Sequence, residues 1–329
     1  MKSLTRFTIF TTTFTMAMFA SAAQASTIPG PLVETDWLAA NADKVTILDL
    51  RADLKSFAAK PIFKKDKKTG KQKLVRVGGH ISGAHLVNYK KVRGARSIAG
   101  NKVDKMLPAK ADFETYMQEA GLDKGKAIVI VTKGESNADM TMAARLYWQL
   151  KYYGEDDMAI LNGGMAQWII DGRKVSSGSA KAAKGNWVAT AERDEILASS
   201  DDVEQARQNG SAQLMDNRPI DQYLGVWHKS YVYANGHIPG ARSFANSLLT
   251  QPKAPAKFLP TQTLTSLAQG LGLNPEKPTI AYCNSGHLAA GGWFILHELM
   301  GNKQAKLYDG SMHEWTLEKR PVTALVLEK

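Results

Sequence analysis

Three blocks of this sequence occur twice in the same order, and that duplication constrains the fold more than any other feature. Thr46-Ile47-Leu48-Asp49-Leu50-Arg51 is matched by Gln213-Leu214-Met215-Asp216-Asn217-Arg218. Gly79-His80-Ile81-Ser82-Gly83-Ala84 is matched by Gly236-His237-Ile238-Pro239-Gly240-Ala241. Residues 154–168 (GEDDMAILNGGMAQW) align without a gap with residues 301–315 (GNKQAKLYDGSMHEW). The length agrees, since 329 residues leave room for two domains of about 100–200 residues each.

Inside the first copy, short apolar runs alternate with segments of helical spacing. The pattern predicts strands over 45–50, 127–132 and 158–161, with helices over 112–120 and 139–152. Such alternation defines an α/β fold: two domains in tandem, each a mainly parallel sheet flanked by helices on both faces. Ligands of such sheets bind beyond the C-terminal ends of the strands.

One such end carries the only cysteine, Cys283, within residues 279–299 (TIAYCNSGHLAAGGWFILHEL). A β-prone run ends at the cysteine, Asn284, Ser285 and Gly286 turn the chain, and helical spacing follows. The sulfur is therefore expected under a helix N-terminus, where free N–H groups and the macrodipole favour an anionic thiolate. The competing reading is a buried structural cysteine. The reactive reading requires the sulfur to be accessible, in a pocket between the two domains.

The chain opens with Lys2 and Arg6, then a threonine-diluted apolar run ending in Ala23-Gln24-Ala25. This predicts a signal peptide over 1–25, cleaved after Ala25, and export to a bacterial periplasm. No other stretch approaches the ~20 apolar residues of a membrane span, so no membrane anchor is expected. A lone thiol in an oxidising compartment is either buried or reactive. The net charge of +11 suits an anionic substrate or surface, and export argues against nucleic acid.

Small polar residues from Ser176 to Lys184 (SSGSAKAAK) begin a linker over 176–190, dividing a domain over 26–175 from another over 191–329. Lys64, Lys65, Lys67, Lys68, Lys71 and Lys73 surround Thr69-Gly70. With Phe63 and Leu74 as apolar flanks, this segment reads as a protruding hairpin. It is either a solvated surface or a docking patch for an acidic protein partner.

Asp-x-Arg near the first strand, Gly-His-Ile-x-Gly-Ala in the middle and Asp-Gly-Ser-x-x-Glu-Trp near the end resemble the tandem-domain rhodanese family, the thiosulfate and 3-mercaptopyruvate sulfurtransferases. The likeness spans residues 32–322. It implies that the second domain is catalytic, with a loop Cys283-Asn284-Ser285-Gly286-His287-Leu288, and that the first, with Thr132-Lys133-Gly134-Glu135-Ser136 at the matching place, is silent. It also implies that Cys283 takes sulfur from a small sulfur-containing anion or persulfide and passes it to a thiol, cyanide or a thiol protein. Asn284, Ser285, Gly286, His287, Leu288, Arg218 and Gln222 are the candidate substrate-binding residues. No cofactor and no metal site are expected.

The chain departs from that family pattern in three places. The loop carries His287 and Leu288 where basic or hydroxyl residues are usual. Gln222 stands where an arginine binds the donor, and Met312 replaces an aromatic residue. The donor is thus open between thiosulfate, 3-mercaptopyruvate and a persulfide or polysulfide. His287 is expected either to hold the thiolate as an imidazolium, to bind the donor, or to face solvent. His313 and Met312 are candidates for the pocket mouth. Asp49 with Arg51, Asp216 with Arg218, His80, His237, Trp168 and Trp315 recur in both copies and read mainly as structure. A phosphatase reading fails because Ala289 occupies the place of the arginine in a Cys-x5-Arg loop. A low-turnover carrier of sulfur or a related chalcogen is the remaining alternative to an enzyme.

Overall fold

The structure, a computed structural model, describes residues 28–98, 100–179 and 182–325. The expected signal peptide lies outside the described residues. Among the described residues, nine strands belong to the first unit: β1 (Leu32–Val33), β2 (Thr46–Arg51), β3 (Ile62–Lys65), β4 (Gln72–Arg76), β5 (His85–Asn88), β6 (Gly94–Ile98), β7 (Asn101–Met106), β8 (Ile128–Val131) and β9 (Met158–Leu161). Its helices are α1 (Thr35–Asn41), α2 (Lys55–Ala58), α3 (Lys110–Glu119), α4 (Asn137–Tyr152) and α5 (Gly164–Ile170). The second unit adds β10 (Leu197–Ala198), β11 (Gln213–Asp216), β12 (Arg242–Ser243), β13 (Thr279–Tyr282) and β14 (Ala305–Tyr308). It also has α6 (Ser200–Asn209), α7 (Ile220–Leu224), α8 (Thr261–Gly270), α9 (His287–Phe294) and α10 (Ser311–Leu317).

Each unit forms one five-stranded sheet, ordered β1-β9-β8-β2-β5 and β10-β14-β13-β11-β12. All neighbours are parallel. The two orders coincide when duplicated strands are matched, so the sequence repeat is a repeat of topology. The predicted strands and helices appear with ends shifted by one or two residues.

Strand side chains alternate between two cores, as the period of two requires. Val129 and Val131 of β8 join Leu38, Phe57 and Trp168 on the outer face of the first sheet. Ile280 and Tyr282 of β13 join Trp315 on the outer face of the second. Ile128, Ile130, Ala281 and Cys283 all enter a third core, which runs across both units. The inner faces of the two sheets therefore share one apolar interior, filled by α4 and α9.

Those two helices pack closely because α9 opens His-Leu-Ala-Ala-Gly-Gly. A Cβ at Gly291 would lie 2.5 Å from Thr141 Cγ2 and 2.8 Å from Leu249 Cδ1. Past Phe294, α9 continues as a π-turn over Ile295–Leu299. It brings Glu298 to Tyr147 Oη (3.0 Å) and Lys151 Nζ (3.5 Å) of α4.

The lysine-rich segment is a hairpin, β3 and β4, with Phe63 opposite Leu74. A second hairpin, β6 and β7, has no signal in the apolar pattern. The segment expected as a linker lies in part against the first unit. Trp187 is buried, and its N–H donates to Leu122 O at 3.0 Å.

Candidate active site

The repeated residues divide cleanly into framework and chemistry. Arg51 and Arg218 are fully buried forks on Asp49 and Asp216, and each also donates to a glycine carbonyl, Gly79 O (2.9 Å) or Gly236 O (2.7 Å). His80 Nδ1 donates to Phe57 O (2.9 Å) and His237 Nδ1 to Tyr223 O (2.7 Å), each ring stacked on the same aromatic. Trp168 and Trp315 are core residues that donate to Lys174 O and Pro321 O. The framework reading of all these residues holds.

The loop after β13 differs from its twin. Gly286 turns the chain at φ +69°, and a Cβ there would run into the Arg145 guanidinium and the Asp309 carboxylate. Ser311 Oγ accepts the N–H groups of Cys283 (3.0 Å) and Gly286 (3.2 Å) and donates to Tyr308 O (2.8 Å). The N–H groups of Met312 and His313 clip onto the carbonyls of Cys283 and Asn284. Asn284 Nδ2 donates to Gln222 Oε1 at 2.8 Å. Among the described residues, the N–H groups of Asn284, Ser285, His287 and Leu288 meet no acceptor. Four amides are thus left to an anion at the sulfur, fewer than the whole loop, because Ser311 takes the other two.

The first unit completes the loop from across the shared core. Arg145 of α4 pairs with Asp309 and reaches Gly286 O (3.3 Å), while Leu107 N–H donates to the other Asp309 oxygen (2.5 Å). His287 Nε2 sits 3.1 Å from both Ala138 O and Thr141 Oγ1, and its ring lies 5.1 Å from that of Tyr89.

Several expectations change here. Cys283 is 1% exposed, so the sulfur is enclosed where an accessible atom was expected. The cause is that β13 directs it into the shared interior, with Tyr89 and Tyr231 in its neighbourhood. His287 is no imidazolium: burial first, then Arg93, pushes it down to about 3, and its Nε2–H is committed to the first unit. Met312 is fully buried in the outer core of the second unit, where a place at the pocket mouth was expected. His313 packs edge-on to Tyr231 (5.3 Å), with its Nδ1 unpartnered. Gln222 is buried and holds Asn284. Arg218 is held by Asp216 with Nη1 unpartnered, in the neighbourhood of Cys283. A surface cleft of about 980 Å³, lined by Gln213, Asn274 and Asn302, lies at the N-terminal ends of these strands, and Cys283 does not line it.

Comparison with known proteins fits this geometry. The rhodanese-like domain model matches residues 34–171 and again 199–318. The chain belongs to the rhodanese family, as a tandem-domain member. It is 29% identical over 286 residues to the 3-mercaptopyruvate sulfurtransferase of Escherichia coli, covering 86% of this chain and 94% of that one. It is 26% identical over 298 residues to the sulfur carrier protein TtuD of Thermus thermophilus, covering 87% and 94%. The crystal structure of the Escherichia coli 3-mercaptopyruvate enzyme SseA superposes with a TM-score of 0.67 at 26% identity, covering 86% of this chain and 98% of that one. The chain is a sulfurtransferase.

Ser311, Arg145 and Tyr89 escaped the sequence reading, but the repeat carries a signal for the first of them. The equivalent of Ser311 in the first copy is Gly164, the equivalent of Asp309 is Asn162, and that of Cys283 is Thr132. The chemistry sits where the copies disagree.

Proposed function

We propose that this protein moves sulfane sulfur from a small anionic donor to a thiol, a thiol protein or cyanide through a persulfide on Cys283. The Cys283 thiolate attacks the outer sulfur of the donor. The donor's bond to that sulfur breaks and its electron pair leaves with the remainder, as sulfite from thiosulfate or as the enolate of pyruvate from 3-mercaptopyruvate. An acceptor thiolate or cyanide then takes the outer sulfur and restores the Cys283 thiolate. The observation that carries this reading is the set of four unpartnered amides around the end of β13, which suits a thiolate and the persulfide anion that replaces it. Gly286 would shape the turn, Asn284, Ser285, His287 and Leu288 would supply those amides, and Arg218 would add positive charge beneath them. Steady-state turnover with thiosulfate, 3-mercaptopyruvate and glutathione persulfide, each with cyanide and with a dithiol, tests it. Turnover that vanishes in Cys283→Ser supports the reading, and unchanged turnover in that variant overturns it.

The enclosed sulfur and the similarity to a sulfur carrier favour a second reading, a carrier that loads once and waits for a protein acceptor. A single stoichiometric burst with no steady state would mark the carrier. The basic start and small-residue site of residues 1–25 support export to a periplasm, and a secreted form beginning at Ser26 would bear that out.

A further inference from the structure

The donor needs a counter-charge, and the second unit offers little beside the sulfur: Arg218 is tied to Asp216 through two of its three nitrogens. Gln222 is neutral and occupied with Asn284. Arg218 reaches Gly236 O as well as Asp216. Two cations without an ion-pair partner approach from the first unit, with Lys229 of the second near one of them, Lys105. Arg93, just before β6, stacks its guanidinium 4.2 Å over the Tyr89 ring, with a buried Nε that has no partner. Lys105, in β7, places its Nζ 3.5 Å over the Tyr231 ring. Neither makes an ion pair or hydrogen bond among the described residues. Among the described residues, Lys105 is also one of three non-glycine residues with a left-handed backbone, at φ +69°, and such outliers concentrate at functional sites.

These two cations converge on the sulfur's own neighbours. Arg93 acts electrostatically on Tyr89, Tyr231, Lys105 and His287, while Cys283 acts on the same Tyr89 and Tyr231. Tyr89 is 4% exposed with an unpartnered hydroxyl, and His313, 5% exposed, has an unpartnered Nδ1. Buried polar atoms without partners are rare, and a group of them beside two unpaired cations marks a place built for a polar ligand. Like charges held together in partial burial are uncomfortable until an anion enters, and Lys105 is accordingly pushed down by burial and by Arg93. A guanidinium stacked on a ring keeps its N–H edge free for a flat or tripodal oxyanion.

We propose that Arg93 and Lys105 form an oxyanion site contributed by the otherwise silent first unit, with the Tyr89 and His313 polar atoms completing it. It takes the sulfonate or carboxylate end of a small donor while the sulfane end meets Cys283. This rests on Cys283 being the sulfur-transfer residue, and it assigns donor selection to the domain without a cysteine.

The test separates the two ideas by using alkylation as well as sulfur transfer. Rates of Cys283 modification by iodoacetate, an anion, and by iodoacetamide, its neutral analogue, are measured by intact mass for the native chain, Arg93→Gln, Lys105→Gln and Arg93→Lys. The iodoacetate-to-iodoacetamide ratio is expected to fall about tenfold in Arg93→Gln, as for loss of one charged hydrogen bond. A smaller fall is expected in Lys105→Gln and partial recovery in Arg93→Lys; the iodoacetamide rate in the same variant cancels any change in thiolate reactivity, and circular dichroism controls for folding. An unchanged ratio in both glutamine variants overturns the site. So does a Cys283 that neither reagent reaches until the chain is unfolded. Loading with thiosulfate and with 3-mercaptopyruvate, run in parallel, identifies whether the sulfonate or the carboxylate is the anion lost. Charge-selective alkylation without sulfur loading from any donor would keep the anion site and overturn the sulfur-transfer reading instead.

Discussion

Ser311 and Gly164 hold the same place in the two copies and nearly the same backbone, φ +52° and +55°. Glycine adopts that conformation freely, whereas serine adopts it at a cost. The hydroxyl offsets that cost by satisfying two buried amides. Ser311→Ala is expected to lower stability by about 2–4 kcal/mol, since both amides lose their acceptor. Ser311→Gly should cost less because the strain goes with the side chain. Chemical denaturation reads the order, and alanine equal to or better than glycine would contradict this account of the loop. His287 gives a second residue-level expectation. Its folded value near 3 lies below the ordinary 6.5, so the unfolded chain binds more protons between those values. The stabilising effect of a neutral ring is complete above about pH 6.5 and is lost as pH falls toward 3. The native chain should therefore lose stability on acidification through that window faster than His287→Gln does. Parallel curves would show that the ring is not held neutral. None of this could be read from residue types alone. Sequence placed His287 in the loop, but the Ala138 carbonyl that fixes its proton lies 149 positions away.

At the scale of elements, local pattern served the strands and failed the hairpin that matters. β8 and β13 are short apolar runs bounded by turn residues, and both stand where the spacing puts them. The β3–β4 hairpin was legible because Phe63 and Leu74 bracket a Thr-Gly turn. The β6–β7 hairpin, Gly94–Ile98 with Asn101–Met106, is polar and half-exposed and has no apolar alternation to announce it. Yet it carries Lys105 to the rim of the site. The crossing of α4 and α9 was equally hidden, although the run Ala289-Ala290-Gly291-Gly292 is the feature that permits it. Gly291→Ala is expected to cost about 1–3 kcal/mol by overpacking. Thr141→Ser, which removes the methyl at 2.5 Å and keeps the hydroxyl on His287, should restore part of that loss. A double variant no more stable than Gly291→Ala would argue against the close crossing.

At the scale of the molecule, the two units share one interior and are tied by buried polar links. Arg145 reaches from α4 to Asp309 and Gly286, while Glu298 lies between His297, Tyr147 and Lys151. Burial alone would raise the Glu298 carboxyl, but His297, Lys151 and Lys303 hold it at about 2. Such a molecule should unfold in one calorimetric transition, with Arg145→Met lowering stability by about 3–5 kcal/mol because Asp309 is left buried without its cation. Two resolved transitions would contradict a shared core. The duplication was visible in the sequence from end to end, but the face by which the copies meet was not, because contacts between repeats leave no spacing of their own. Everything proposed for this fold converges on one atom, Cys283 Sγ, held where both units can act on it. Its most direct test is the intact mass of the native protein after brief exposure to thiosulfate, 3-mercaptopyruvate or glutathione persulfide, followed by peptide mapping. The account predicts a single added sulfur on the Cys283 peptide, absent in Cys283→Ser and released by a thiol. A protein that stays at its unmodified mass with all three donors would contradict it.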